Sequence, residues 1–334
     1  MGPIHLETPR EETIESMIKL LQEAHTNKAQ LVVYPECAFT TFFPRHLIND
    51  QARLDSYFEH GDHIINATNT KALFDEAKKL GIDIQVGFAE RTSEGIGYNT
   101  AVYYSAKSDR IISKYRKVHL PGTKEPFTNP DAVNQLEKRY FKPGNLGFKA
   151  FRVPDLIEGT AKKADGKDVG NGKGDPIMGM MICNDRRWSE SWRAYGLQGV
   201  EVVLCGYNTA GWAPDLWGTR KPMTQEEADK DAVFHHKLVM QGNSYMNSCF
   251  SVSAAKAGLE DGKYDLIGGS CITSPEGHIL AEAKTKGNEL IVAELDLEDC
   301  RQGKEKTFDF ARHRRTETYG IITAQTGVVE PELL

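Results

Sequence analysis

The sequence predicts an α/β fold of layered sheets and helices, on three observations. Segments with helical and strand periodicity alternate along the chain, no interdomain linker divides them, and no internal repeat is visible. A single domain over residues 1–334 is therefore expected.

The first helix is expected over 9–28. Thr8-Pro9-Arg10-Glu11 has the form of a capping box with proline at the first helical position, and Ile14, Met17, Ile18 and Leu21 follow at helical spacing. Gln30 to Pro35 reads as a short buried strand that stops at Glu36. A second helix over 70–80 closes at Gly81, and Ile82, Ile84, Val86 and Phe88 alternate as a strand. Strands near 98–106 and 110–117 flank Lys107-Ser108-Asp109 and form a hairpin that ends at Lys117.

Residues 177–182 (Ile-Met-Gly-Met-Met-Ile) form a further core strand, ending at Cys183. A helix near 189–198 and a strand over 200–205 follow. Thr224-Gln225-Glu226-Glu227 is another capping box and opens a long helix to about 247. Strands are expected near 249–255, 268–274, 278–283 and 289–296, with Pro275-Glu276-Gly277 as a turn. The stretch 157–176 holds five glycines and almost nothing apolar, so it is expected to be a flexible surface insertion.

Composition removes several function classes. The net charge of −6 is modest and of mixed sign, which gives no footing for nucleic acid. The apolar runs are far too short to span a bilayer, and Met1 to Pro9 lacks the pattern of a signal peptide. Six cysteines (Cys37, Cys183, Cys205, Cys249, Cys271 and Cys300) are scattered with no C-x-x-C pair, as expected of reduced thiols in the cytoplasm. His235 and His236 are adjacent on a helix, point in different directions and lack an i, i+4 partner, so no metal site is expected.

The chemistry-bearing positions lie at strand ends. Glu36, Lys117 and Cys183 each end a predicted strand, and ligand sites in α/β sheets assemble at the carboxyl ends of strands. A carboxylate can take a thiol proton and later activate water, and an ammonium can hold the oxyanion formed when a thiolate attacks a carbonyl carbon. Arg186 and Arg187 beside Cys183 favour its thiolate. Glu137 is a candidate second acid. Taken one at a time, each has a plainer reading: a solvated loop glutamate, a surface lysine, a core cysteine. The remaining five cysteines read as packing residues, and Phe42-Phe43-Pro44 as a pocket wall or plain core.

Several ordered motifs then add context: Tyr34-Pro35-Glu36, Phe42-Phe43-Pro44, Lys114-Tyr115-Arg116-Lys117-Val118-His119-Leu120-Pro121-Gly122, Leu136-Glu137-Lys138-Arg139-Tyr140-Phe141 and Cys183-Asn184-Asp185-Arg186-Arg187-Trp188. Gly206-Tyr207-Asn208-Thr209, Phe234-His235-His236 and Gly269-Ser270-Cys271-Ile272 continue the pattern. With these motifs the chain resembles the nitrilase superfamily of carbon–nitrogen hydrolases over about residues 3–323. Within it, the chain is most similar to the N-carbamoyl-D-amino acid amidohydrolases (D-carbamoylases).

The resemblance implies a four-layer α-β-β-α sandwich that assembles into dimers or tetramers and uses no metal or organic cofactor. It implies Cys183 as nucleophile, Glu36 as general base, Lys117 as oxyanion holder and Glu137 as supporting acid. The implied reaction is hydrolysis of N-carbamoyl-D-amino acids to D-amino acid, carbon dioxide and ammonia, with an amidase, nitrilase or ureidopropionase-like hydrolase on another small substrate, or a catalytically inactive homologue, as the alternatives. Arg186 and Arg187 can bind a carboxylate with fork-shaped hydrogen bonds, and Asn184, Asn208, Thr209 and His119 are expected to complete the pocket, with His236 near it. Departures from the pattern are Gln135 where a histidine is expected, an apparently missing first strand before the opening helix, and the glycine-rich insertion.

Overall fold

The computed structural model describes residues 1–158, 174–219 and 221–333. Its helices are α1 (Arg10–Thr26), α2 (Gln51–Asp55), α3 (Lys71–Leu80), α4 (Glu137–Tyr140), α5 (Ser189–Gly196), α6 (Pro214–Trp217) and α7 (Gln225–Asn247), followed by short C-terminal turns. Two sheets stack between them.

The first sheet runs β1 (Leu31–Val33), β3 (Asp83–Arg91), β4 (Gly97–Ser105), β5 (Arg110–Arg116), and β2 (Phe58–His60) adds to the far end of β3. β1 and β2 lie parallel to β3, whereas β3–β4 and β4–β5 are antiparallel. The second sheet runs β13 (Ile279–Glu282), β12 (Cys271–Thr273), β9 (Phe250–Ala255), β8 (Val202–Tyr207), β7 (Ile177–Ile182), β6 (Phe151–Arg152). Its centre, β7–β8–β9, is parallel.

Side-chain alternation along the strands produces the layers. Val102 and Tyr104 of β4 face outward with Ile84, Val86 and Phe88, and meet Ile14, Met17 and Leu21 of α1 and Leu73 and Phe74 of α3. Ala101 and Tyr103 face inward and meet Met178, Met180, Ile182, Val202 and Leu204 of the second sheet. On that sheet's other face, Met181, Val203 and Cys205 pack on Trp192 and Tyr195 of α5 and Met240 of α7. The order is thus helix, sheet, sheet, helix, the expected α-β-β-α sandwich.

Most local expectations hold. Gly81 closes α3 in the left-handed region at φ +69°, and the Thr224–Glu227 box caps α7 from both sides. Three do not. Thr8 Oγ1 accepts from the His5 amide at 3.0 Å instead of capping α1, whose N-cap is Pro9. Residues 289–296 form no strand: Leu290 and Leu295 pack against the cores, but among the described residues no other segment makes a ladder with them. The ribbon of β10 (Ala257–Glu260) and β11 (Tyr264–Ile267) was not expected, because its sequence mixes glycine and acids with the apolar positions.

No strand precedes α1 among the described residues. The Ala257 amide donates to Met1 O at 2.9 Å, the Ile4 amide to Glu260 Oε1 at 3.2 Å and the Leu6 amide to Asp261 Oδ1 at 2.8 Å. The central part of the glycine-rich stretch, 159–173, lies outside the described residues.

One constraint positions the site. The Tyr34–Cys37 turn passes between Gly87 of β3 and Gly206 of β8. A Cβ on Gly206 would lie 2.7 Å from Glu36 N, and one on Gly87 would lie 2.8 Å from Pro35 O. Only a hydrogen at these positions lets the turn fit. Gly206→Ala is expected to destabilise the protein by about 1–3 kcal/mol through overpacking against backbone, measured by denaturant unfolding. An unchanged midpoint would mean that the two layers have slack.

Candidate active site

Glu36 follows β1, Lys117 follows β5, Cys183 follows β7 and Asn208 follows β8, so four strand ends converge. Glu36, Lys117 and Glu137 are all fully buried. Lys117 Nζ lies 2.7 Å from Glu36 Oε1 and 2.8 and 2.7 Å from the two oxygens of Glu137. Asn99, from the interior of β4, donates to Glu36 Oε1 at 2.7 Å and to Glu137 Oε2 at 3.5 Å. Gln135 donates to Glu137 Oε1 at 2.6 Å.

Cys183 sits at the turn from β7 into a 3-10 segment, with φ at +48°. This conformation is uncommon for a side-chain-bearing residue and is typical of strained functional positions, at a cost of about 1–3 kcal/mol. Its Sγ lies 3.3 Å from Asn208 O, and the Asn208 side-chain amide donates to Glu36 Oε2. One residue therefore touches both the thiol and the carboxylate.

Charge in this desolvated space decides the protonation states. Burial pushes the Cys183 thiol up, with Glu36 adding to the effect, and Lys117 and Arg186 oppose it without winning. Arg186 thus acts on the thiol in the expected direction, toward thiolate, but desolvation is the larger influence. Burial alone would lower Lys117, but Cys183, Glu137 and Glu36 together hold it well above the usual lysine range. Glu137 is pushed up to about 7 by burial and by Glu36, against the pull of Lys117.

A narrow cavity opens onto Cys183. It is lined by Arg45, Gln135, Asn184, Arg187, Asn208 and Thr209 on its polar side, and by Pro121, Val133, Leu216 and Trp217 on its apolar side. Arg187 is exposed there, its guanidinium 5.0 Å from the centre of the Trp217 ring. Surrounding protein and the Arg186 charge lower its pKa to about 10, so it stays cationic at neutral pH.

Two expected pocket residues lie elsewhere. Arg186 is buried behind Cys183 and does not line the cavity. It donates to Cys183 O at 2.7 Å, Thr209 Oγ1 at 3.3 Å and His236 Nδ1 at 3.1 Å, over the Tyr207 ring. His119 pairs with Asp185 Oδ1 at 2.8 Å and stacks on Trp188, again outside the cavity lining. His236, desolvated and facing Arg186, has its pKa held well below the usual histidine range. Asn184 and Thr209 line the cavity as expected, whereas the Asn208 side chain serves Glu36.

Phe43 belongs to an aromatic cluster with Tyr57, Phe58, Tyr140 and Phe141 rather than to the cavity wall. Among the described residues no three His, Cys, Asp or Glu side chains converge as metal ligands. Asn99 and Arg45 were missed. A polar Asn in the apolar run of β4, and an arginine ending the Phe-Phe-Pro motif, were the available signals.

A thiol, a buried carboxylate and an ammonium gathered at one cavity can carry acyl transfer through sulfur. The chain belongs to the carbon–nitrogen hydrolase family, whose pattern matches residues 4–305, and this makes it a cysteine-type hydrolase of non-peptide carbon–nitrogen bonds.

Among its relatives, the N-carbamoylputrescine amidase of Arabidopsis thaliana is 28% identical over 92% of this chain and 89% of its own. A nitrilase of Pyrococcus abyssi is 30% identical over 90% of each chain. A citrullinase of Francisella tularensis is 27% identical over 91% of this chain and 90% of its own. The solved carbon–nitrogen hydrolase of Helicobacter pylori superposes with a TM-score of 0.73 at 22% identity, covering 96% of both chains, which supports the four-layer fold.

The raised Glu137 gives a pH prediction. A carboxyl with a raised pKa takes up its proton as the pH falls through about 7, so activity that needs the charged cluster is lost on the acid side. Glu137→Gln leaves Glu36 as the sole carboxylate facing Lys117. The acid limb of kcat/KM should then move to lower pH while the plateau falls. A limb that stays in place would assign the titration to another group.

Proposed function

We propose that the protein hydrolyses the ureido group of an N-carbamoyl amino acid, with D-amino acids as the leading class. The observation that carries this reading is the charge of the cavity. Arg187 stands exposed on its lining, Arg45 there is already paired with Glu260, and among the described residues no acidic side chain lines it. Such a wall suits a substrate carboxylate and repels the ammonium of a carbamoylated diamine. The apolar side of Val133, Leu216 and Trp217 suits the substituent on the α-carbon. The relatives named for N-carbamoylputrescine and citrulline support a ureido carbon as the centre attacked.

In this mechanism Glu36 takes the proton of Cys183, and the thiolate attacks the ureido carbon. The carbonyl electron pair moves onto oxygen and is held by Lys117. Collapse expels one nitrogen, which takes the proton back from Glu36. Water activated by Glu36 then cleaves the resulting S-carbamoyl (thiocarbamate) enzyme to a carbamic acid, which breaks down to carbon dioxide and the remaining amine. With one water consumed, the products are amino acid, carbon dioxide and ammonia. Glu137, itself hydrogen-bonded by Gln135, holds Lys117 in place beside Glu36. A second reading, a small amide or nitrile as substrate, is favoured by the nitrilase relative and uses the same three groups.

Ammonia release from N-carbamoyl-D- and L-amino acids, N-carbamoylputrescine, a small amide and a nitrile separates these readings, with Cys183→Ala as the inactive and folded control. Turnover of N-carbamoylputrescine in preference to every carboxylated urea would sink the proposal. Arg187→Met should raise KM for the carboxylated substrate about 10-fold or more, as the loss of a charge-assisted hydrogen bond requires, with kcat changed far less. An unchanged KM would remove Arg187 from the binding site.

A further inference from the structure

We propose that Arg45 is a positioning residue: through the side-chain amide of Asn208 it fixes the orientation in which Glu36 is held beside Cys183. The inference rests on the proposed role of Glu36 as base.

Arg45 ends a 3-10 turn, Phe43–Arg45, and is buried. Its guanidinium lies between two rings, 4.9 Å from the centre of Phe42 and 5.6 Å from that of Tyr264. Nη1 donates to Glu260 Oε2 at 3.1 Å, and Nη2 donates to Asn208 Oδ1. Glu260 is fully buried on β10 and is itself fixed by the Ile4 amide at 3.2 Å and Thr41 Oγ1 at 3.5 Å. A chain of contacts therefore runs Glu260, Arg45, Asn208, Glu36.

The direction of this chain is set by donor chemistry. A guanidinium has donors only, so the Asn208 end that faces Arg45 must be its oxygen. The amide nitrogen is then turned toward Glu36, which receives a donor from Asn208 as it does from Lys117 and Asn99. Turning the amide over would set two donors against each other and an oxygen against the carboxylate. The Asn208 carbonyl also accepts from Cys183 Sγ at 3.3 Å, so loosening this residue disturbs both partners of the proton transfer.

Arg45 also lines the cavity, which makes a clamp for the substrate carboxylate the competing role. Two features favour positioning. Both terminal nitrogens are already engaged, and the side chain is enclosed between rings, whereas Arg187 stands exposed at the same cavity.

The test is alkylation of Cys183 by iodoacetamide, read by mass spectrometry on the full chain. This neutral probe has no carboxylate to clamp. It needs only that the thiol proton pass to the base, after which sulfur displaces iodide. Arg45→Met and Asn208→Ala should each slow alkylation about 10-fold or more, as expected of a misplaced base. The double variant should be no slower than the slower single one. Arg45→Lys, which keeps a donor for Asn208, should recover part of the rate.

If Arg45→Met does not fold because Glu260 is left buried and unpaired, Arg45→Met with Glu260→Met removes both charges and carries the same expectation. Alkylation of Arg45→Met at the wild-type rate, or losses that multiply in the double variant, would overturn the inference. Glu36→Gln separates the two levels. An unchanged rate there sinks the base assignment itself, whereas a slowed Glu36→Gln beside an unaffected Arg45→Met sinks only the role of Arg45.

Discussion

An ammonium enclosed between two carboxylates, with no solvent on any of the three, is the constraint around which the molecule is organised. Unpaired burial of any one of these charges would be prohibitive, and removing one partner from such a group costs about 3–5 kcal/mol. The cluster persists because each oxygen meets a donor. Asn99 reaches both glutamates from the middle of a strand, Gln135 reaches Glu137, and Asn208 reaches Glu36. Polar residues in these strands and strand ends are therefore required by the charges they face, and an apolar replacement there would leave an acceptor unmet.

The sheets hold that cluster against sulfur by close backbone approach. Gly87 and Gly206 let the Glu36 turn sit between the two layers, closer than any side chain would permit. Across from it, Cys183 leaves β7 in a left-handed conformation, and Arg186 ties down its carbonyl from behind. Burial and the Glu36 charge raise the pKa of the sulfur in this desolvated space, against Lys117 and Arg186. In the proposed mechanism proton transfer to Glu36 is then part of the attack itself, so the residues that orient Glu36 matter as much as Glu36.

The sequence made the fold class and the Glu36, Lys117, Glu137 and Cys183 gathering legible, because strand ends and ordered motifs are local properties. What it hid depends on partners distant in the chain. Arg186 and Arg187 are neighbours, yet one turn of 3-10 backbone sends the first into the core and the second to the cavity. Periodicity cannot tell them apart. Arg45 and Glu260 are separated by 215 positions and meet only once β10 folds over the first sheet's loops. The 289–296 segment has the composition of a strand, but a strand needs a ladder partner, and composition does not report one. Thr8 offered a cap in sequence and found the nearer His5 amide instead.

Gln135 has a larger consequence than a conservative polar exchange suggests. Its amide gives Glu137 the hydrogen bond that a histidine nitrogen could give, but it brings no positive charge and cannot take up a proton near neutrality. Two carboxylates then face a single ammonium in a space where burial already disfavours charge. The surplus negative charge works against ionisation of the cluster, and burial together with Glu36 raises the Glu137 pKa against the pull of Lys117. A cationic side chain at position 135 would oppose that shift and widen the range in which both carboxylates are charged. The pH window of the site is thus set in part by a residue that titrates nowhere within it.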